Sequence, residues 1–350
     1  MKAGDVMHGY HITTEPTNEG GGKCVWAFAE REGRVYFVKR FLEPKRPRGG
    51  GGGSEASRRA RMRECAEFED RHRSIMERLT PDAVGAGNLV LAVDFFHERS
   101  SYYKVTERVD TASMTKPHAL DTRNKSVLLR TLALSLRLLH DLGIVHGDLK
   151  PANVLVQQRA ANAFHTAKLI DFDDAYLSGS PPAPGVIAGD SMYGAPEWLR
   201  YLRSDTATDP AELTTGCDVF SLGLITHLYL TGALPAYDTG AHASPAEAVD
   251  AGAPLRADER LAPVMRELIE AMTTGDPEQR PGTGAFFEAL RDPNICLLDR
   301  RTTVARPSRI RVGAHDRGGA EPGRRPDEAG SSGQGGTGSQ DIQKGPFHDL

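Results

Sequence analysis

The chain has 350 residues, 39% hydrophobic and 26% charged, and its 43 Lys and Arg against 47 Asp and Glu leave a net charge of −4. Globular usage of this kind excludes wholesale disorder, collagen-like sequence and a disulfide-stapled miniprotein, and it leaves room for one large domain with tails or for two compact lobes. The near balance of charge gives no overall reason to expect nucleic acid or an anionic membrane as the main partner.

In chain order, the glycine triplet Gly20-Gly21-Gly22 is followed by short apolar or β-branched runs at Val25 to Ala29, Arg34 to Phe41, Val90 to Phe96 and Tyr102 to Glu107, which predict strands. Between the second and third runs, Pro44 to Ser57 carries five consecutive glycines and reads as a flexible insertion. Cys65, Phe68, His72, Ile75 and Leu79 then recur at three- and four-residue steps, predicting a helix packed on that sheet. The exposed side of this helix carries the arginine-rich run Arg58 to Arg63, read as a solvated face. Beyond residue 109 most of the pattern is helical, with Lys125 to Leu142 and Val219 to Leu230 apolar nearly all round, as buried helices are. The fold class predicted is α+β, a small sheet-rich lobe with one main helix followed by a larger helical lobe.

Ten of the 37 glycines fall in residues 301–350 among Arg, Ser and Pro, so that stretch reads as a disordered tail. The longest apolar segment, Val127 to Val145, is interrupted by Arg130, Arg137, His140 and Asp141, and no membrane span or export signal is expected. Cys24, Cys65, Cys217 and Cys296 lie far apart with no C-x-x-C spacing, which predicts reduced thiols and a cytoplasmic protein. Trp26 and Trp198 read as packing residues.

The densest chemistry lies in His146-Gly147-Asp148-Leu149-Lys150-Pro151-Ala152-Asn153. Downstream come Leu169-Ile170-Asp171-Phe172-Asp173, Gly194-Ala195-Pro196-Glu197, Asp218-Val219-Phe220-Ser221-Leu222-Gly223 and Asp276-Pro277-Glu278-Gln279-Arg280. In this order they resemble the catalytic loop H-R-D-L-x-x-x-N, the D-F-G metal segment, the A-P-E signature and the structural Asp and Arg of eukaryotic-type serine/threonine protein kinases. Three positions depart from the pattern: Gly147 stands for arginine, Asp173 for glycine, and Asp190 for the threonine of the G-T-x-x-Y segment.

The resemblance implies a bilobal kinase over residues 10–300, with an N-lobe to 108 and a C-lobe from 109, that uses ATP and Mg²⁺ on protein substrates. Asp148 would orient the attacking hydroxyl, Lys150 would neutralise the transferred phosphoryl group, and Asn153 and Asp171 would hold the metal. Glu197 would pair with Arg280, and Asp218 would anchor the loop backbone. On the nucleotide side, Gly20, Gly21, Gly22 and Val25 would form the phosphate-covering turn, because consecutive glycines let backbone N–H groups approach an anion. Lys39 would contact the α- and β-phosphates, with Phe37 replacing the small alanine over the adenine and Glu69 as the helix partner of Lys39. Backbone at Glu107 and Val109 would read the adenine edge.

Two competitors belong to other classes. H-G-D-x-x-x-x-N also typifies small-molecule kinases of the aminoglycoside phosphotransferase type, against which the A-P-E segment, Asp218 and Arg280 argue. Phe37, Asp173 and Asp190 suggest a pseudokinase that binds partners without transfer, against which Lys39, Asp148, Asn153 and Asp171 argue. Because Gly147 brings no charge and residues 171–197 lack threonine, basal activity is expected not to depend on phosphorylation of that segment.

Overall fold

In the computed structural model, which describes residues 1–19, 22–47, 54–80, 86–109, 114–158, 160, 163–204 and 208–299, the β-branched and aromatic runs of the first hundred residues do form strands. They are β1 (Val6–Met7), β2 (Tyr10–Ile12), β3 (Cys24–Arg31), β4 (Arg34–Phe41), β5 (Ala92–Glu98) and β6 (Ser101–Glu107), paired antiparallel in the order β1-β2-β3-β4-β6-β5. The sheet therefore begins at Val6, ahead of the boundary expected at residue 10. Glu32 and Gly33, both at positive φ, make the two-residue turn that the β3–β4 hairpin requires. Gly20, Gly21, the glycine run 49–53 and the segment from 300 onward lie outside the described residues.

Alternation along each strand sorts the sheet into two faces. Ala27, Ala29, Val38, Tyr103 and Val105 form one buried cluster with Met7, Tyr10 and Ile12. Phe41, Phe95 and Tyr102 face the other way and pack on α1 (Glu55–Arg78) through Cys65 and Phe68. Ser54 caps α1 by accepting from the Ser57 N–H at 3.2 Å, and Cys65, Phe68, His72 and Ile75 are its buried stripe, as the periodicity predicts.

The larger part is built on α2 (Thr122–Asp141), whose Leu128, Leu129, Leu132, Leu136 and Leu139 are fully buried. Four short strands follow it: β7 (Ile144–Val145), β8 (Val154–Gln158), β9 (His165–Leu169) and β10 (Tyr176–Leu177). They fall in a region whose pattern is mostly helical, and at two residues for β7 and β10 and five for β8 and β9 they are too short to declare a period. Their pairing has a consequence for the site. β8 pairs with β9 and β7 with β10, so the loops 146–153 and 170–175 emerge side by side. Then come α3 (Pro196–Leu202), α4 (Gly216–Thr231), α5 (Pro245–Asp250), α6 (Pro263–Met272) and α7 (Thr283–Ala289). α4 is buried along almost its whole length, as its unbroken apolar pattern predicts. All four cysteines are buried thiols. Among the described residues no helix is long and apolar enough to cross a membrane.

Candidate active site

The loop after β7 is held by one carboxylate. Asp218, buried at the start of α4, accepts from the backbone N–H of His146 at 2.7 Å and of Gly147 at 3.3 Å, and His140 Nε2 lies 3.1 Å away. His146 ties this loop to its neighbour: Nε2 lies 3.1 Å from the Ile170 carbonyl oxygen, and Nδ1 accepts from the Asp148 N–H at 3.4 Å. Gly147 sits at φ 78°, and a Cβ there would collide with the carbonyl oxygen of Asp174, so the residue is set by a close backbone crossing between the two loops.

Asp148 is held by one oxygen only. Its Oδ2 takes the Lys150 ammonium at 2.8 Å and the Asn153 amide at 3.0 Å, whereas Oδ1 is buried without a partner. Asn153 also donates to the Asp148 carbonyl at 2.8 Å, which directs its NH₂ inward and leaves its amide oxygen for another group. Asp190, in place of the expected threonine, puts Oδ2 at 3.7 Å from Lys150. Burial works against the Lys150 charge, but Asp148 and Asp190 outweigh it and raise the pKa.

Beside this loop, Asp171 lies at φ 66°, a conformation rare for a residue with a side chain. Its Oδ2 meets Lys39 Nζ at 2.6 Å, and its Oδ1 is buried and unpartnered. Asp173 is bound by two ammonium groups: Oδ2 lies 3.0 Å from Lys39 and Oδ1 2.9 Å from Lys104. Burial opposes the ionisation of Asp173, yet Lys104 and Lys39 hold its pKa well below the ordinary carboxylate value. Burial pushes Asp171 up, opposed by Lys39. Burial, with the charges of Asp173, Asp148 and Asp171, also pushes Asp174 up to about 6.

Asp148 and Asp171, each with one buried and unpartnered carboxylate oxygen, thus line one cleft of about 830 Å³. A buried carboxylate oxygen without a donor is costly, and a hard cation with an incoming hydroxyl is the chemistry that would satisfy this pair. The residues present therefore fit Mg²⁺, which the Asp171 carboxylate and the Asn153 amide oxygen would hold.

The cleft roof is aromatic. Phe37 on β4 lies 5.0 Å from Trp26 and 5.9 Å from Phe28 on β3, and the Arg108 guanidinium sits 4.6 Å from the Phe28 ring centre. Ala152 and Leu155 lie below, and Thr106, Glu107, Arg108 and Val109 form the connecting edge. Gly22 also lines the cleft.

Three expectations need correction. Trp26 is a cleft-wall residue rather than a packing one, whereas Trp198 is buried. Val25 falls on the opposite side of β3 from the cleft-lining Cys24 and Trp26, because a shift of one residue reverses the face. Glu69 does not meet Lys39: it accepts from the Tyr102 hydroxyl at 2.5 Å and pairs with Arg46 at 3.1 Å. On α1 it is Glu64, Phe68 and Arg71, at i, i+4 and i+7, that line the cleft, and Glu69 lies 100° round the helix from Phe68.

Away from the cleft, Arg280 and Glu197 form the expected pair through bonds of 2.6 and 2.8 Å, and Ser221 Oγ donates to the Tyr193 carbonyl at 2.7 Å. Sequence reasoning missed Lys104. Its signal was there, a lysine in the middle of the otherwise apolar run Tyr102 to Val105.

The protein kinase domain family matches residues 57–293, about two thirds of the chain. Among curated proteins, the chain is 29% identical over 220 residues to calcium/calmodulin-dependent protein kinase type II of Caenorhabditis elegans, covering 61% of the chain and 28% of that protein. It is 33% identical over 150 residues to serine/threonine-protein kinase pkn2 of Myxococcus xanthus, covering 42% and 17% respectively. MAP kinase-interacting serine/threonine-protein kinase 2 of Xenopus laevis is 28% identical over 163 residues, covering 43% and 34%. The chain thus spans about a third or less of the length of each of these relatives.

Proposed function

The chain belongs to the protein kinase domain family, and from that premise we propose that it is an active, ATP- and Mg²⁺-dependent kinase that phosphorylates serine or threonine hydroxyls of proteins. The kinase unit runs to about residue 300, its lobes meeting at the edge between Arg108 and Val109. The observation that carries the reading is the convergence of Lys39, Asp148 and Asp171 on one cleft, the two acids each having one unpartnered oxygen.

The side chains divide the work by geometry. Asp148 keeps Oδ2 on Lys150 and Asn153, so Oδ1 is the atom that receives the hydrogen bond of an acceptor hydroxyl and aligns its oxygen for attack. Lys150, kept protonated between Asp148 and Asp190, lies beside that hydroxyl to offset charge on the phosphoryl group in transit. Lys39 binds the phosphates next to the departing group. Mg²⁺ held by Asp171 and Asn153 would supply positive charge that neutralises part of the phosphate charge. Catalysis on this account is positioning and electrostatics, with no covalent intermediate on the protein.

The pseudokinase alternative rests on Phe37, Asp173 and Asp190, yet in this cleft Asp190 pairs with Lys150 and Asp173 pairs with Lys39. The test is a radiolabelled ATP assay with generic protein acceptors. Wild type should label serine and threonine, and Asp148→Asn should lower the rate by about 100-fold or more. Wild type that binds nucleotide yet transfers no label to any acceptor, itself included, would favour the partner-binding reading.

A further inference from the structure

Lys104 and Lys39 face each other directly across β6 and β4 and point to the same side of the sheet. Like charges so placed repel, and Lys104 is only 6% exposed, so neither strand would tolerate the arrangement without a shared acid. Asp173 is the acid the two lysines share, with one oxygen on each ammonium at 2.9 and 3.0 Å, while Asp171 adds a second carboxylate to Lys39 at 2.6 Å. Lys104 also donates to the Phe172 carbonyl at 3.3 Å, which ties the backbone of the metal segment to the small sheet. Helix α1 meanwhile turns Glu64, Phe68 and Arg71 toward the cleft and commits Glu69 to Tyr102 and Arg46, whereas the ion pairs of Lys39 are with Asp171 and Asp173.

The geometry points to a relocated ion pair: Asp173, and no acid of α1, orients Lys39 toward the nucleotide phosphates, and Lys104 is the positioning residue that holds Asp173 there. Two features that look like separate departures, an aspartate where the metal segment should have glycine and a buried lysine in an apolar strand, are then one device. The lysine that binds phosphate is fixed from within the metal segment itself. Completion of the site does not wait on the position of α1.

This rests on the kinase reading, and nucleotide affinity and stability together separate the two. On the full chain, Mg-ADP binding is measured by calorimetry, and the urea midpoint of the ligand-free protein is measured for Lys104→Met, Asp173→Gly, the double variant and Glu69→Gln. Each of the first two should weaken Mg-ADP by about tenfold and lower the urea midpoint, the loss expected for a charge-assisted hydrogen bond. The double variant removes both buried charges, so its urea midpoint should return toward wild type while its Mg-ADP affinity stays low, Lys39 then having beside it only Asp171, the proposed metal ligand. Glu69→Gln should change the affinity by less than about twofold. Affinity that returns together with stability in the double variant would reduce the pair to packing and overturn the inference. So would a Glu69→Gln variant that binds Mg-ADP as weakly as Asp173→Gly. Should Asp173→Gly not fold, Asp173→Asn closes the same cycle. Wild type that binds no Mg-ADP would overturn the proposed function and this inference with it, whereas wild-type binding that Lys104→Met leaves unchanged would overturn this inference alone.

Discussion

Arg280 grips Glu197 from both sides of its carboxylate, Nη1 to Oε1 at 2.6 Å and Nη2 to Oε2 at 2.8 Å, with neither side chain exposed to water. The fork joins the end of the segment that follows the metal site to the far part of the helical lobe, and Cys217 Sγ adds a bond to Glu197 Oε1 at 3.2 Å. Removing one partner leaves a charge buried with nothing to balance it, so Glu197→Leu or Arg280→Met should each cost about 3–5 kcal/mol in urea unfolding. The double variant should lose clearly less than the sum. Additive losses would show that the pair is not a coupled unit.

Gly147 offers a second test. Its positive φ and its crossing with the Asp174 carbonyl leave no room for a side chain. Gly147→Ala should therefore lower stability by about 1–3 kcal/mol from backbone strain alone, and it should slow transfer by shifting Asp148. Introducing the family's arginine by Gly147→Arg should be no better. A Gly147→Ala protein with wild-type melting temperature and turnover would contradict this.

The segment between the two motifs is pinned without any phosphate. Ser178 N–H donates to the Gly143 carbonyl at 2.8 Å, Gly179 N–H to Leu213 at 3.0 Å, Trp198 Nε1 to Ala188 at 3.0 Å and the Tyr201 hydroxyl to Pro182 at 3.1 Å. Fully dephosphorylated protein, verified by mass spectrometry, should therefore transfer phosphate at its final rate from the first turnover. A lag that prior incubation with ATP removes would mean that phosphorylation orders the segment.

A pH dependence follows from His72. Stacked at 4.9 Å on Phe95 and packed among Phe41 and Phe68, with Lys104 nearby, its imidazole is pushed down to about 3 by burial and by that ammonium. The unfolded chain would bind a proton near pH 6.5 that the folded chain refuses, so stability is full above that pH and falls as pH drops toward 3. At pH 5 the loss should be about 2 kcal/mol. His72→Phe should flatten this part of the profile, measured as the difference in urea midpoints between pH 7.5 and pH 5 for the two proteins.

Contiguity decided what could be read before the coordinates. Asp148, Lys150, Asn153, Asp171, Glu197 and Asp218 each sit in a run whose neighbours identify it, and the buried stripe of α1 repeats over enough turns to declare its phase. Single-residue phase is a different matter. Glu64, Glu67 and Glu69 lie within two turns of helix, where a step of one residue turns a side chain by 100°, and Val25 differs from its cleft-lining neighbours by the strand's period of two. Lys104 and Asp173 are 69 positions apart, and each alone reads as an exception. Only the register of β4 against β6, which sets Lys104 opposite Lys39, together with the approach of Asp173 to both, brings these charges into one account.

The aromatic roof gives the protein an optical property of its own. The chain has two tryptophans, and they watch different places. Trp26, partly exposed and tilted against Phe37, is in the wall that a nucleotide base would touch, so its emission should quench on binding. Trp198 is buried against Gly189 and Gly194, and its indole N–H is held by the Ala188 carbonyl, so its emission follows the segment before Glu197 instead. Trp26→Phe and Trp198→Phe would thus separate the two signals, letting stopped-flow fluorescence time nucleotide entry and segment motion independently in unlabelled protein.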